Sequence, residues 1–145
     1  GDTTAGGAAR VEWSLTPEVD AMIVTLGGND LLRGIDPAVS RRNLESILKI
    51  AQANEVEVLL VGLSAPGNYG AEYKSSFDAI YPELSEAYGA FYAPDFFAGL
   101  GGGDPAAFQQ WFQADGIHPN AEGVARIVEG LGPHLRALIE AAQAE

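Results

Sequence analysis

Cysteine is absent from the 145 residues, which excludes disulfides, thiolate metal ligands and a cysteine nucleophile without choosing a compartment. Basic side chains are scarce: 8 Lys and Arg stand against 20 Asp and Glu, a formal net charge of −12. Nucleic acids and anionic membrane surfaces are polyanions, so this balance argues against either as the main partner. Long apolar runs are lacking too. The stretch Val56 to Leu63 is far too short to cross a bilayer, so no membrane insertion is expected. With 2 histidines and no cysteine, a resident metal has no third His or Cys ligand; neither metal nor cofactor is expected. What is present is ordinary globular material, 47% hydrophobic and 19% charged, at a length that predicts one domain over 1–145 with a real core.

Thr3 or Thr4 can cap a first helix that runs to about Ser14, and Asp20 then leads into an apolar strand over 21–26. The Gly27-Gly28-Asn29-Asp30 turn ends that strand. Asp36-Pro37 is a helix start, and Val39, Leu44, Ile47, Leu48 and Ala51 recur at helical spacing to about Ala53. Val56 to Leu63 is almost continuously apolar and β-branched, which suits a parallel strand covered on both faces. The loop Ser64 to Gly70 enters a helix through Tyr88, with Tyr73, Phe77, Ile80, Tyr81 and Leu84 on one face and a kink possible at Pro82. Phe91-Tyr92-Ala93 reads as a third strand, and a glycine-rich loop over 99–104 precedes a turn of helix over 105–112. The last helix is expected over 120–142, broken or bent into two segments by Gly130, Gly132 and Pro133. Helices alternating with strands imply parallel strands, with ligands bound beyond their carboxyl ends. Asn29, Ser64 to Gly70 and Asp115 to His118 all fall there.

The run Asp115-Gly116-Ile117-His118-Pro119-Asn120 sets a carboxylate and an imidazole three residues apart before a helix. That is the base and its orienting carboxylate in a hydrolase triad, since a neutral imidazole can take a hydroxyl proton and return it to the leaving group. Alone, the pair also reads as a cap and a hydrogen-bonded surface pair. Asn29 can present its side-chain amide to a developing oxyanion without bringing charge into the ground state, or serve simply as a turn former. Leu31, Leu32 and Ile35 beside it either line an acyl groove or form a buried loop. Tyr69 and Tyr73 either wall the same groove or belong to the core, and Asn68 beside Tyr69 is a further candidate substrate contact. His134, inside an apolar helical pattern, reads as structural. No serine stands in a strand-to-helix turn of the Gly-Asp-Ser type, so the attacking atom is missing.

These residues resemble the SGNH (GDSL-type) hydrolases, and among them the bacterial thioesterase, arylesterase and lysophospholipase group. Gly1-Asp2-Thr3-Thr4-Ala5-Gly6-Gly7 resembles the second block of that family, Leu26 to Gly34 the third and Asp115 to Asn120 the fifth. Pro66-Gly67-Asn68-Tyr69-Gly70 with Phe77 to Pro82 resembles a further segment of the thioesterase group. The resemblance implies a three-layer α/β/α flavodoxin-like fold with a parallel sheet. It makes Gly1 a backbone donor and Asn29 a side-chain donor to the oxyanion, His118 the base and Asp115 its orienting carboxylate. Substrates would be acyl esters, acyl thioesters or lysophospholipids, in a periplasmic or secreted enzyme.

In this family the nucleophilic serine stands after the first strand, before the point where this chain begins. The expectation is therefore a fragment, the C-terminal part of the hydrolase domain with its N-terminal strand missing and nearly inert alone. Its exposed strand edge near 21–26 would be covered by the absent segment or by a second copy. Two other readings stand beside this one: a carbohydrate esterase removing acetyl groups, and a non-catalytic binding or assembly module.

Overall fold

A computed structural model describes residues 1–101 and 105–144. Helix α1 (Thr4–Ser14) opens on Thr3, whose hydroxyl accepts the Gly6 N–H at 3.2 Å. Strand β1 (Ala21–Val24) is followed by a short helix α2 (Gly28–Leu32) and then by α3 (Pro37–Ala53). Asp36 caps α3 by accepting the Ala38 N–H at 2.9 Å, and Pro37 occupies the first turn, where a missing N–H costs nothing. Strand β2 (Glu57–Val61), helix α4 (Ala71–Tyr88), strand β3 (Phe91–Ala93), helix α5 (Pro105–Phe108) and helix α6 (Ala121–Gln143) complete the order. No helix among the described residues is long and apolar enough to cross a membrane.

The three strands are parallel in the order β1-β2-β3, with Val24 opposite Leu60 and Val61 opposite Ala93. Alternation along β2 explains the layers. Val58 and Leu60 join Val24, Leu44, Ile47, Phe77, Ile80 and Tyr81 in one core beneath α1, α3 and α4. Leu59 and Val61 face the other way and pack with Ala93 and Leu138 beneath α6. An unbroken apolar run, Val58 to Val61, is what two covered faces require. β1 is the open edge: among the described residues it pairs only with β2, and Ile23 on it is 46% exposed.

Three expectations change. The strands are shorter than the apolar runs, 21–24 and 57–61 rather than 21–26 and 56–63. Asn29 lies in the helix α2, entered through Gly27 at φ +120°, rather than in a simple turn. Helix α6 runs unbroken through Gly130, Gly132 and Pro133. Gly130 is there for close approach: a Cβ on it would fall 2.8 Å from the Gly99 Cα, and one on Gly99 would strike the Arg126 carbonyl. Pro133 is exposed, where a carbonyl freed by the missing N–H can be hydrated. α4 likewise continues through Pro82. Of the expected glycine-rich loop, 102–104 lie outside the described residues.

Candidate active site

The segment between α5 and α6 is a tight antiparallel excursion. Phe112 bridges Pro119, the Gln113 N–H donates to the His118 carbonyl at 2.8 Å, and the Asn120 N–H donates to the Trp111 carbonyl at 2.8 Å. Asn120 fixes the exit as well. Its amide donates to the Gln110 carbonyl at 2.7 Å while its oxygen accepts the Gly123 N–H at 2.9 Å, so one side chain caps α6 and holds the loop. Gly123 leaves room for this, because a Cβ there would strike the Trp111 carbonyl.

On the tip of this excursion, His118 Nδ1 and Asp115 Oδ2 stand 2.6 Å apart. Asp115 Oδ1 accepts two backbone N–H groups, from Ile117 at 2.9 Å and His118 at 3.0 Å. The hydrogen bond from the imidazole, then those from the two amides, pull the Asp115 carboxyl down to about 2. An ionised carboxylate on Nδ1 keeps the proton on that nitrogen and leaves Nε2 as the acceptor. Both side chains are open to solvent, His118 at 70% and Asp115 at 42%.

Asn29 lines the same cleft as His118. Its Nδ2 donates to the Asp2 carbonyl at 3.1 Å, and it abuts Gly1 so closely that a Cβ on Gly1 would lie 2.5 Å from it. The next residue secures this junction. Asp30 is fully buried and accepts the Thr4 N–H at 2.8 Å, the Thr4 hydroxyl at 2.5 Å and the Ser40 hydroxyl at 2.6 Å, fastening α2 to the start of α1 and to α3.

Gly1, Gly27, Gly28, Asn29, Leu63, Phe96, Phe97, Ile117 and His118 line one cavity of about 350 Å³. The arrangement brings a hydrogen-bonded imidazole and the Asn29 side-chain amide into the lining of one cavity. None of the lining residues is a serine. Leu31, Leu32, Ile35, Asn68 and Tyr69 do not line this cavity. Leu31 packs on the core, Leu32 is 57% exposed, and the Tyr69 hydroxyl donates to the Leu31 carbonyl at 2.6 Å. Sequence reasoning missed Phe96 and Phe97, which follow β3 directly. Their place beyond the carboxyl end of a parallel strand was the available signal. Among the described residues no three His, Asp or Glu side chains cluster as a metal site would require.

The family model for "GDSL-like Lipase/Acylhydrolase family" matches residues 1–126. Esterase TesA of Pseudomonas aeruginosa is 40% identical over 140 residues, 96% of this chain and 67% of that protein. Thioesterase 1/protease 1/lysophospholipase L1 of Escherichia coli K12 is 35% identical over 140 residues, 96% of this chain and 65% of that protein. A crystal structure of TesA superposes with a TM-score of 0.81 at 38% identity, covering 95% of this chain and 74% of the other. The chain thus spans about two thirds of the length of these relatives. Its two helical layers around a parallel sheet and its matched sequence blocks agree, and the chain belongs to the GDSL-like lipase/acylhydrolase family.

Proposed function

We propose that residues 1–145 are the C-terminal part of a serine ester hydrolase domain that cleaves small acyl esters or thioesters through an acyl-enzyme. The observation that carries this reading is the 2.6 Å contact of His118 Nδ1 with Asp115 Oδ2, with His118 lining a cavity that Asn29 and Gly1 also line. In the proposed reaction His118 Nε2 takes the proton of an attacking serine hydroxyl, while Asp115 holds the imidazole and stabilises its cation. The carbonyl oxygen, now an oxyanion, accepts from Asn29 Nδ2 and the Gly1 N–H. Collapse expels the alcohol or thiol with the proton from His118, and a water attacks the acyl-enzyme by the same route in reverse.

The cavity contains no serine, so we assign the nucleophile to a segment outside 1–145 laid along the open edge of β1. A groove of about 470 Å³ runs there between α1 and β1, lined by Val11, Leu15, Met22 and Val24 among others. Its apolar floor beside unpaired strand edge suits an added β-strand. Residues 1–145 alone would then be nearly inert, since losing the nucleophile of a triad costs on the order of 10⁶-fold. The acyl chain is assigned to the wall of Leu63, Phe96, Phe97 and Ile117; no Lys or Arg lines the cavity to grip a phosphate. An exported location, periplasmic or secreted, goes with this reading, and release by osmotic shock of expressing cells tests it.

The function is tested with a serine-reactive fluorophosphonate and a p-nitrophenyl ester series from acetyl to octanoyl. The expected result is labelling outside 1–145 and faster hydrolysis of the octanoyl ester, both lost in His118→Asn. Hydrolysis confined to acetyl esters would instead favour a carbohydrate esterase. Absence of both labelling and turnover in the full polypeptide would leave a binding module.

A further inference from the structure

Four aromatic side chains, Tyr69, Tyr73, Phe77 and Tyr81, recur every fourth residue from the turn before α4 onward and so share one face. Their ring centroids are 4.8, 6.3 and 5.7 Å apart in succession, a continuous ladder. What sets it apart from ordinary core packing is where the hydroxyls go. Tyr81 donates to the Leu26 carbonyl at 2.7 Å, Tyr69 to the Leu31 carbonyl at 2.6 Å and Tyr73 to the Ile35 carbonyl at 2.7 Å. These three acceptors belong to one segment, 26–35, the one that carries Asn29.

That segment needs external support. α2 has five residues, Gly28–Leu32, and a helix so short does not hold itself together. Asp30 fastens it on the side of α1, and the tyrosine hydroxyls fasten it on the side of α4, at both ends and near its middle. Gly27 completes the fit: it takes φ +120°, and a Cβ on it would strike the Tyr81 hydroxyl. Burial raises the Tyr73 and Tyr81 phenols above their ordinary value, which favours the protonated, donating form of both.

We propose that Tyr69, Tyr73 and Tyr81 are positioning residues that fix the Asn29 side chain for the oxyanion by clamping the backbone carbonyls of Leu26, Leu31 and Ile35. Tyr69 thereby acts through Leu31 rather than on substrate. The proposal rests on the hydrolase reading above. A displaced oxyanion donor weakens binding of the transition state and leaves ground-state binding alone, so its loss falls on kcat.

The test uses the ester-hydrolysing full polypeptide, with Tyr69→Phe, Tyr73→Phe and Tyr81→Phe made singly and each combined with Asn29→Ala. Tyr88→Phe is the control, because its hydroxyl donates to Glu45 at the far side of α3. Each ladder variant is expected to lower kcat about fivefold, the worth of one neutral hydrogen bond, with KM within about twofold. In the Asn29→Ala background the same substitutions are expected to cost nothing further. Amide exchange at residues 31–35 is expected to quicken in the ladder variants and to stay unchanged in Tyr88→Phe. Tyr69→Phe, at the most exposed rung, keeps the test open if Tyr81→Phe does not fold. Equal losses with and without the Asn29 amide, a change in KM alone, or unchanged exchange at 31–35 would each overturn the clamp while leaving the hydrolase reading in place. An Asn29→Ala variant with undiminished kcat would remove the hydrolase reading's oxyanion donor, and the proposal with it.

Discussion

Asp30 joins α2 to α1 and α3, and its removal has a size that can be worked out. The side chain is fully buried together with Thr4 and Ser40, and it takes three hydrogen bonds, one from a backbone N–H and two from hydroxyls. In Asp30→Ala the Thr4 N–H is left without a partner, which costs about 1–3 kcal/mol. The hydroxyls lose a charged acceptor but can turn to others, and the Thr4 oxygen still receives Asn43 Nδ2 at 3.1 Å. Two weakened bonds at about 1 kcal/mol each bring the total to about 3–5 kcal/mol. Asp30→Asn keeps an acceptor for the Thr4 N–H and should lose about half as much. Urea unfolding followed by circular dichroism reads both as a fall in midpoint at unchanged slope, on the order of 1–3 M for Asp30→Ala. Ser40→Ala alone should cost about 1 kcal/mol and should cost nothing more in the Asp30→Ala background. A loss below about 1 kcal/mol for Asp30→Ala, or equal losses for the Ala and Asn variants, would refute the argument that this carboxylate is the junction between α1, α2 and α3.

The remaining expectations are more direct. Asp115→Asn should leave the fold intact and lower ester turnover by about 10⁴-fold in the full polypeptide, because the amide cannot hold the required imidazole tautomer; retained turnover would contradict the assigned role. The Asp115 carboxyl titrates at about 2, below its ordinary value, so its contribution to stability is complete above about pH 4 and disappears as pH falls through about 2. The urea midpoints of the parent and Asp115→Asn should accordingly converge as pH falls over that interval. Gly99→Ala would push a methyl into the Arg126 carbonyl and should cost about 1–3 kcal/mol, read by thermal melting, whereas Gly132→Ala, with open space around it, should not.

The site was legible where its chemistry is local. Asp115 and His118 meet because the chain between them makes one turn, and four consecutive letters contain that information. Strand β2 was legible because a strand covered on both faces cannot alternate, and Val58 to Val61 do not. The unbroken α6 was not. Gly130 resembles a breaker until Gly99 is placed against it, and that contact joins residues far apart in the chain. The lining of the cavity was hard to read for the same reason. Leu31 and Leu32 neighbour Asn29 in sequence, but in the helix α2 they lie against the core and in solvent, while Phe96 and Phe97, distant in sequence, line the cavity with Asn29. The tyrosine ladder was half legible: its spacing marks a common face, while the carbonyls that its hydroxyls reach lie 38 and 55 positions away.

The two polar groups of the cavity therefore differ in physical character. The His118–Asp115 pair is written in a single turn whose hydrogen bonds span two or three residues, and such a turn depends on the local chain alone. The placement of Asn29 depends on residues 26 positions apart, at Thr4 and Asp30, and 38 apart, at Tyr69 and Leu31, staying docked. Local and global opening thus act on different halves of the same centre. A partly loosened molecule keeps a poised imidazole and loses the groups that would receive the charge it helps create, so its power to bind a proton outlives its power to catalyse.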